Sequence, residues 1–326
     1  MRTQYFLPMD DPDFLCYPYY SLPNAIIKAN SKERYSDFLC LKYINCYFRA
    51  DSSKYKFVLC ATNPWFDAEN IMKFQEIKYL RDTLRLEGIN LVDIIKKCLI
   101  CNCYVYGQFN RSYVEKGSYN VTEYCVTGFD DAKSAFSVYY IDSQNVFKQV
   151  FVDYTTFLDA IMDVPALLIH LWIWRYNSVN FDDSINDMIT EFEDYINSTV
   201  TKVIPTPDKI YCLYSIKALE DYFGECVENK TELYRPYIDK YLLHKKYMAD
   251  RVRKLSLKGF VSSDLISNAE AVYSIARDVS EWCSKYNENY DYIPGKMIYQ
   301  KICDSVNIEM EYLQDVIEDI RNIAHA

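Results

Sequence analysis

Four short runs dominate the middle of the chain: Cys103 to Phe109, Glu123 to Gly128, Ala135 to Ile141 and Val146 to Val152, each rich in β-branched and aromatic residues. Such segments read as strands, and Gly128-Phe-Asp-Asp-Ala-Lys133 and Asp142-Ser-Gln-Asn145 are natural hairpin connections between them. Two more strands are expected, at Tyr55 to Cys60 and at the apolar run Leu167 to Trp174. Helices should feed this sheet. One is expected over Leu22 to Ala29, started by Pro23, another over Leu91 to Leu99 capped by Asn90, and a third over Thr155 to Met162. The apolar run Phe38 to Phe48 fits helix or strand equally. An antiparallel sheet fed by helices is an α+β arrangement.

After Arg175 the pattern becomes helical. Candidate helices cover Phe181 to Asn197, a segment from a cap at Asp208 to Phe223, and one from a cap at Thr231 to Leu255. Two a/d seams follow. Leu265, Ala269, Val272, Ala276, Val279 and Cys283 alternate spacings of three and four, and Ile302, Val306, Met310, Leu313, Ile317, Ile320 and Ala324 repeat them. A linker from Tyr286 to Gly295 lets the two helices pack as an antiparallel pair. The expected division is therefore an α+β domain over 1–175 and a helical region over 176–326. The seams are explained most simply by packing within the chain; a homodimer through them is the other reading.

Charge and composition exclude several function classes. A net charge of −10 argues against binding nucleic-acid phosphates. Seven glycines and no G-x-G-x-x-G or P-loop pattern argue against a phosphate-cradling loop, and no cofactor is expected. No run reaches the roughly 18 apolar residues of a membrane span, and the N-terminus turns acidic before any apolar core of export-signal length. Twelve cysteines without such a signal read as reduced thiols, so a cytoplasmic protein is expected.

Few residues are placed for chemistry. Cys98, Cys101 and Cys103 bring three thiols into six residues, but no fourth ligand sits at zinc-finger spacing, and no metal site is expected. Of three histidines, His170 lies in an apolar strand and reads as a satisfied core histidine. His244 lies on a helix and His325 at the terminus. The carboxylate pairs Asp10-Asp11, Asp130-Asp131 and Asp182-Asp183 read as turn or cap residues. Arg251-Val-Arg-Lys254 is the nearest approach to a basic patch. The remaining candidate is Cys16, in the aromatic island Phe14-Leu-Cys-Tyr-Pro-Tyr-Tyr20. By itself it reads as a buried thiol, and a reactive one needs a cation or a helix N-terminus beside it.

Taken together, Asp13-Phe-Leu-Cys-Tyr-Pro-Tyr19, Tyr104-Val-Tyr-Gly-Gln-Phe-Asn-Arg-Ser-Tyr-Val114, Tyr124-Cys-Val-Thr-Gly-Phe-Asp-Asp131, Phe136-Ser-Val-Tyr-Tyr-Ile-Asp142 and Tyr241-Leu-Leu-His-Lys-Lys246 resemble the family named for the N-terminal domain of butirosin biosynthesis protein H. The resemblance implies a papain-like fold and an acyl or peptidyl transfer from a carrier-protein thioester to a small-molecule amine, in specialised-metabolite or peptide biosynthesis. It implies Cys16 as nucleophile and Asp142 as the orienting acid, with Tyr17, Tyr19 and Thr122 beside the substrate. Thr122 stands where the family pattern has its histidine, and a threonine does not hold a proton near neutral pH as imidazole does. Glu123 replaces it only if the strand register is shifted by one. The acidic carrier implied as partner needs a basic docking face, for which Arg251 to Lys254 is the candidate. The alternative is a catalytically degenerate relative, acting as scaffold or partner of a biosynthetic assembly.

Overall fold

The computed structural model describes residues 3–13, 18–41, 44–50, 55–59, 72–80, 87–166, 168–177, 185–201 and 209–324. In chain order the elements are β1 (Gln4–Phe6), α1 (Pro18–Asn30), α2 (Lys32–Leu41), β2 (Cys46–Ala50), β3 (Tyr55–Leu59), β4 (Met72–Leu80), α3 (Leu91–Ile100), β5 (Tyr104–Asn110), β6 (Val121–Asp130), β7 (Ala135–Ile141), β8 (Phe147–Asp153), α4 (Tyr154–Met162), β9 (Leu168–Tyr176), α5 (Ile185–Asn197), β10 (Lys209–Tyr211), α6 (Cys212–Glu228), α7 (Arg235–Leu257), α8 (Asp264–Asn289) and α9 (Tyr292–Ala324). The fold is α+β with a large antiparallel sheet and a C-terminal helical region. Two compact units form, Met1–Tyr35 with Pro64–Val179, and Ser36–Asn63 with Asn180–Ala326. The second unit thus takes a segment that the sequence reading assigned to the first domain. The reason is pairing: β2 binds β3 on one side and β10 on the other.

The first unit is built on a seven-stranded sheet of order β4-β9-β5-β6-β7-β8, with β1 added to the end of β6. Every pairing is antiparallel. β6 changes partner along its length, pairing β5 over Val121–Val126 and β1 over Gly128–Asp130, with a register shift between Val126 and Gly128. Gly128 is required there: a Cβ would lie 2.2 Å from Phe6 Cδ1 and 2.5 Å from the Tyr5 carbonyl oxygen. From Tyr124 to Asp130 every residue of β6 is buried, as expected of a strand covered on both faces.

The two faces carry different helices. On one, Phe157 of α4 meets Tyr124 and Phe136 edge-on, each at 5.1 Å, while Lys96 of α3 lies 4.4 Å above the Tyr154 ring. Both helices are capped as their sequences demand: the side chain of Asn90 accepts from Asp93 N and that of Asp153 from Thr156 N. On the other face packs α1, whose residues from Tyr20 to Ile27 are buried without a break.

In the second unit α8 is capped by Tyr290 in the left-handed conformation, and only Tyr290 and Asp291 separate it from α9. Pro294 and Gly295, expected in a linker, sit in the first turn of α9, where a missing N–H leaves no helical bond unmade. A Cβ on Gly295 would lie 2.5 Å from Val227 Cγ1, so α6 and α9 touch through this glycine. Leu265, Ala269, Val272, Ala276, Val279 and Cys283 are all buried, and so are Ile302, Val306, Leu313, Ile317 and Ile320. These seam residues are buried within the chain, and Met310 is half-buried. The run that fitted helix or strand is both, with Phe38 to Leu41 closing α2 and Cys46 opening β2.

Candidate functional site

Strand alternation decides which side chains share the α1 face. Asn30 at the end of α1 donates to Tyr104 Oη at 3.1 Å, and Tyr104 Oη donates to the Pro8 carbonyl. Tyr104 is therefore on that face, with Tyr106 and Gln108 at alternate positions of β5. Tyr106 pairs with Cys125 on one side and Trp172 on the other, which adds Glu123 and Cys125 of β6 and His170, Trp172 and Trp174 of β9. Continuing that register by two residues sets His170 level with Gln108, which itself pairs with Glu123. One row across three strands thus carries an imidazole, an amide and a carboxyl. Burial pushes the Glu123 carboxyl above its ordinary pKa.

His170 holds the most chemistry. Its Nδ1 lies 2.9 Å from Glu76 Oε1, with side-chain exposures of 32% and 35%. Glu76 Oε2 meets Lys78 Nζ at 2.9 Å, and the hydrogen bonds from Lys78 and then His170 hold Glu76 below the usual carboxylate range. In the neutral imidazole, a hydrogen on Nδ1 donated to Glu76 leaves the lone pair on Nε2. Among the described residues Nε2 has no hydrogen-bond partner. The Trp172 ring stands 5.4 Å away and buttresses the imidazole. The sequence reading of a satisfied core histidine is corrected: His170 lies on a half-open stretch of β9 and is paired with a carboxylate from β4.

Thr122 and Asp142 fall elsewhere. Thr122 pairs with Phe109, so it belongs to the face of Tyr124 and Phe109, which α4 covers. Tyr124 pairs with Tyr140, and extending that register by two brings Asp142 opposite Thr122. The two residues are therefore neighbours, on the side of the sheet away from α1. The Asp142 carboxylate accepts from Gln144 N at 2.9 Å and from Val146 N at 2.8 Å, and it pairs with Lys148 Nζ at 2.5 Å. Burial works to raise its pKa, but Lys148 and the two backbone donors prevail and hold it below the ordinary value. That carboxylate closes a hairpin. Cys16, Tyr17 and the side chain of Tyr19 lie outside the described residues, as does His325.

The other candidates resolve simply. His244 is fully buried, and its Nε2 donates to the Ile44 carbonyl at 2.8 Å; burial, then the neighbouring Lys245, depresses its pKa well below the ordinary value and keeps it neutral. Arg251 cannot serve a docking face: it is 0% exposed, donates to the Leu39 carbonyl and lies over the Phe192 ring. Arg253 is paired with Asp250 and Glu270. Among the described residues no group of three or more His, Cys, Asp or Glu side chains is placed to hold a metal ion, and no helix is long and apolar enough to cross a membrane.

No family model matches this chain, and no curated protein matches it significantly.

Proposed function

We propose that the chain is a papain-like cysteine acyl or peptidyl transferase, with Cys16 as nucleophile and His170, held by Glu76, as its base. The observation that carries this reading is the His170–Glu76 couple on the sheet face that α1 covers. Cys16 precedes the first residue of α1 by two positions in the sequence. The packing of α1 on the face that bears His170 supports the pairing. Its C-terminal Asn30 is fixed at Tyr104, while the helix packs on β6, β7 and β9. Thirteen residues of helix span about 20 Å, whereas Tyr104 to Gln108 spans about 13 Å. The proposal requires the N-terminal end of α1 to lie toward the end of the strands that bears His170, Gln108 and Glu123, a distance the helix is long enough to cover. A base on β9 takes over what Thr122 does not provide.

The chemistry follows from these groups. Nε2 of His170 takes the Cys16 proton, and the thiolate attacks a thioester carbonyl on a carrier. The carrier thiol leaves with that proton, and the acyl group rests on Cys16. An amine then attacks, Nε2 takes its proton, and the amide departs as the proton returns to Cys16. The resemblance supplies the donor class, a carrier-bound thioester, and the acceptor class, a small amine. The second reading, a scaffold or partner protein without the chemistry, is favoured by Thr122 at the family's histidine position and by the commitment of Asp142 to a turn.

Alkylation by iodoacetamide at neutral pH, mapped by mass spectrometry, separates the two. The transferase reading expects Cys16 to react at least about tenfold faster than the same thiol in the urea-unfolded chain. A Cys16 that reacts no faster leaves the scaffold.

A further inference from the structure

The three thiols at the end of α3 have no part in the reading above. They sit in a helix terminus with a defined geometry. Cys101 closes the helix, Asn102 takes the left-handed conformation at φ 59°, and two backbone bonds reach back, from Asn102 N to the Leu99 carbonyl at 2.9 Å and from Cys103 N to the Cys98 carbonyl at 3.0 Å. This is a Schellman closure, and the two positions whose side chains meet across such a closure are those of Cys98 and Cys103. Cys98 and Cys101, three apart on the last turn, are also neighbours. Cys98 is therefore within reach of both other thiols. Exposure is graded among them: Cys101 is exposed, Cys98 partly covered, Cys103 buried.

The surroundings suit thiol exchange. The Arg175 guanidinium donates to the Cys101 carbonyl at 3.1 Å, and the neighbouring Cys103 thiol is the chief cause that raises its pKa, so a cation stands at the cluster. Burial, followed by the proximity of Cys103 and Cys101, pushes the Cys98 thiol up to about 11. Such a thiol is a poor first attacker on an external oxidant, but an intramolecular exchange with a sulfur already beside it has a large advantage in effective concentration.

We propose that Cys98, Cys101 and Cys103 form a reversible thiol–disulfide site, in which the exposed Cys101 accepts oxidation from a small-molecule disulfide and the bond settles between Cys98 and Cys103. The steps balance. Cys101 attacks glutathione disulfide, forming a mixed disulfide and releasing one glutathione thiol. Cys98 attacks the Cys101 sulfur, expelling the second glutathione thiol. Cys103 then attacks Cys98 and returns Cys101 to the thiol. Two protein thiols are oxidised and one glutathione disulfide is reduced to two glutathiones. The crosslink ties the end of α3 to the residue before Tyr104, where β5 begins, and β5 carries Tyr106 and Gln108 of the candidate site.

The test uses the full chain with glutathione disulfide, followed by thiol blocking and non-reducing peptide mapping. No Lys or Arg separates Cys98 from Cys103, so trypsin releases all three in one peptide ending at Arg111. The wild type is expected to give a peptide lighter by two hydrogens, with its blocked thiol at Cys101. Cys101→Ser should slow formation of this species by about tenfold or more. Cys103→Ser should halt with a bond between Cys98 and Cys101, and Cys98→Ser with glutathione retained on Cys101. Stable glutathione on Cys101 in the wild type overturns the proposal. An unslowed Cys101→Ser variant overturns it as well.

Discussion

Lys245 and Glu309 face each other in the interior of the helical unit with no side-chain exposure at all. Tyr195 Oη donates to Glu309 Oε2 at 2.7 Å, and Lys245 donates both to that oxygen and to Tyr195 Oη, the latter at 3.0 Å. Replacing Lys245 by Met removes the cation and leaves a carboxylate buried with one neutral donor. The cost of stranding a buried charge is about 3–5 kcal/mol. With a urea slope of roughly 2–3 kcal/mol per molar for a unit of this size, the midpoint of helix loss followed at 222 nm should fall by about 1–2 M. Adding Glu309→Leu removes the stranded charge. What remains is mainly the Tyr195 hydroxyl without its acceptor, about 1–3 kcal/mol, so the double variant should be more stable than Lys245→Met alone. The cycle should return a coupling of about 2 kcal/mol or more. Additivity of the two single substitutions to within about 0.5 kcal/mol would refute the reasoning, because it would mean that the groups do not share one network.

Three further outcomes are expected. Gly128→Val should cost about 1–3 kcal/mol and speed hydrogen exchange at the Leu7 amide, which bonds the Thr127 carbonyl at 2.7 Å, since β1 must move off the sheet. Asn90→Ala should lower stability by about 1 kcal/mol in thermal unfolding through loss of the α3 cap. The Lys96 ammonium, with the Tyr154 hydroxyl, holds Asp131 below its ordinary pKa. That depression stabilises the fold above the unfolded value of about 3.9 and is lost as pH falls through the folded value. A Lys96→Met chain should therefore lag the wild type in thermal midpoint at pH 6, with the gap closing below about pH 4.

Local pattern made most of the sheet legible. β5 to β9 announce themselves as short β-branched, aromatic or apolar runs and the a/d helices through heptad spacing, and Asn90 caps where its position says it should. Long-range pairing was not legible. Nothing local in Tyr55 to Leu59 says that its sheet is completed by Lys209–Tyr211, and so the division of the chain shifted. The same limit hid the His170–Glu76 couple. The partners are 94 residues apart, joined only by the register of β4 on β9, and an apolar neighbourhood made the imidazole look like core. Arg251 misled in the opposite sense, because a charged run on a helix gives no sign of which member turns inward. Strand parity settles the rest, placing Glu123 on the α1 face and Thr122 on the other.

The pH dependence of Cys16 alkylation in the wild type and in His170→Gln tests the proposal that His170 activates Cys16. An imidazolium beside a thiol favours the thiolate, whereas an unassisted thiol with a pKa near 8.5 is almost wholly protonated at pH 6. At pH 6 the wild type should react about 10–100-fold faster than His170→Gln, with the variant profile rising only as the ordinary thiol titrates. Coincident profiles that both rise near pH 8.5 would contradict it.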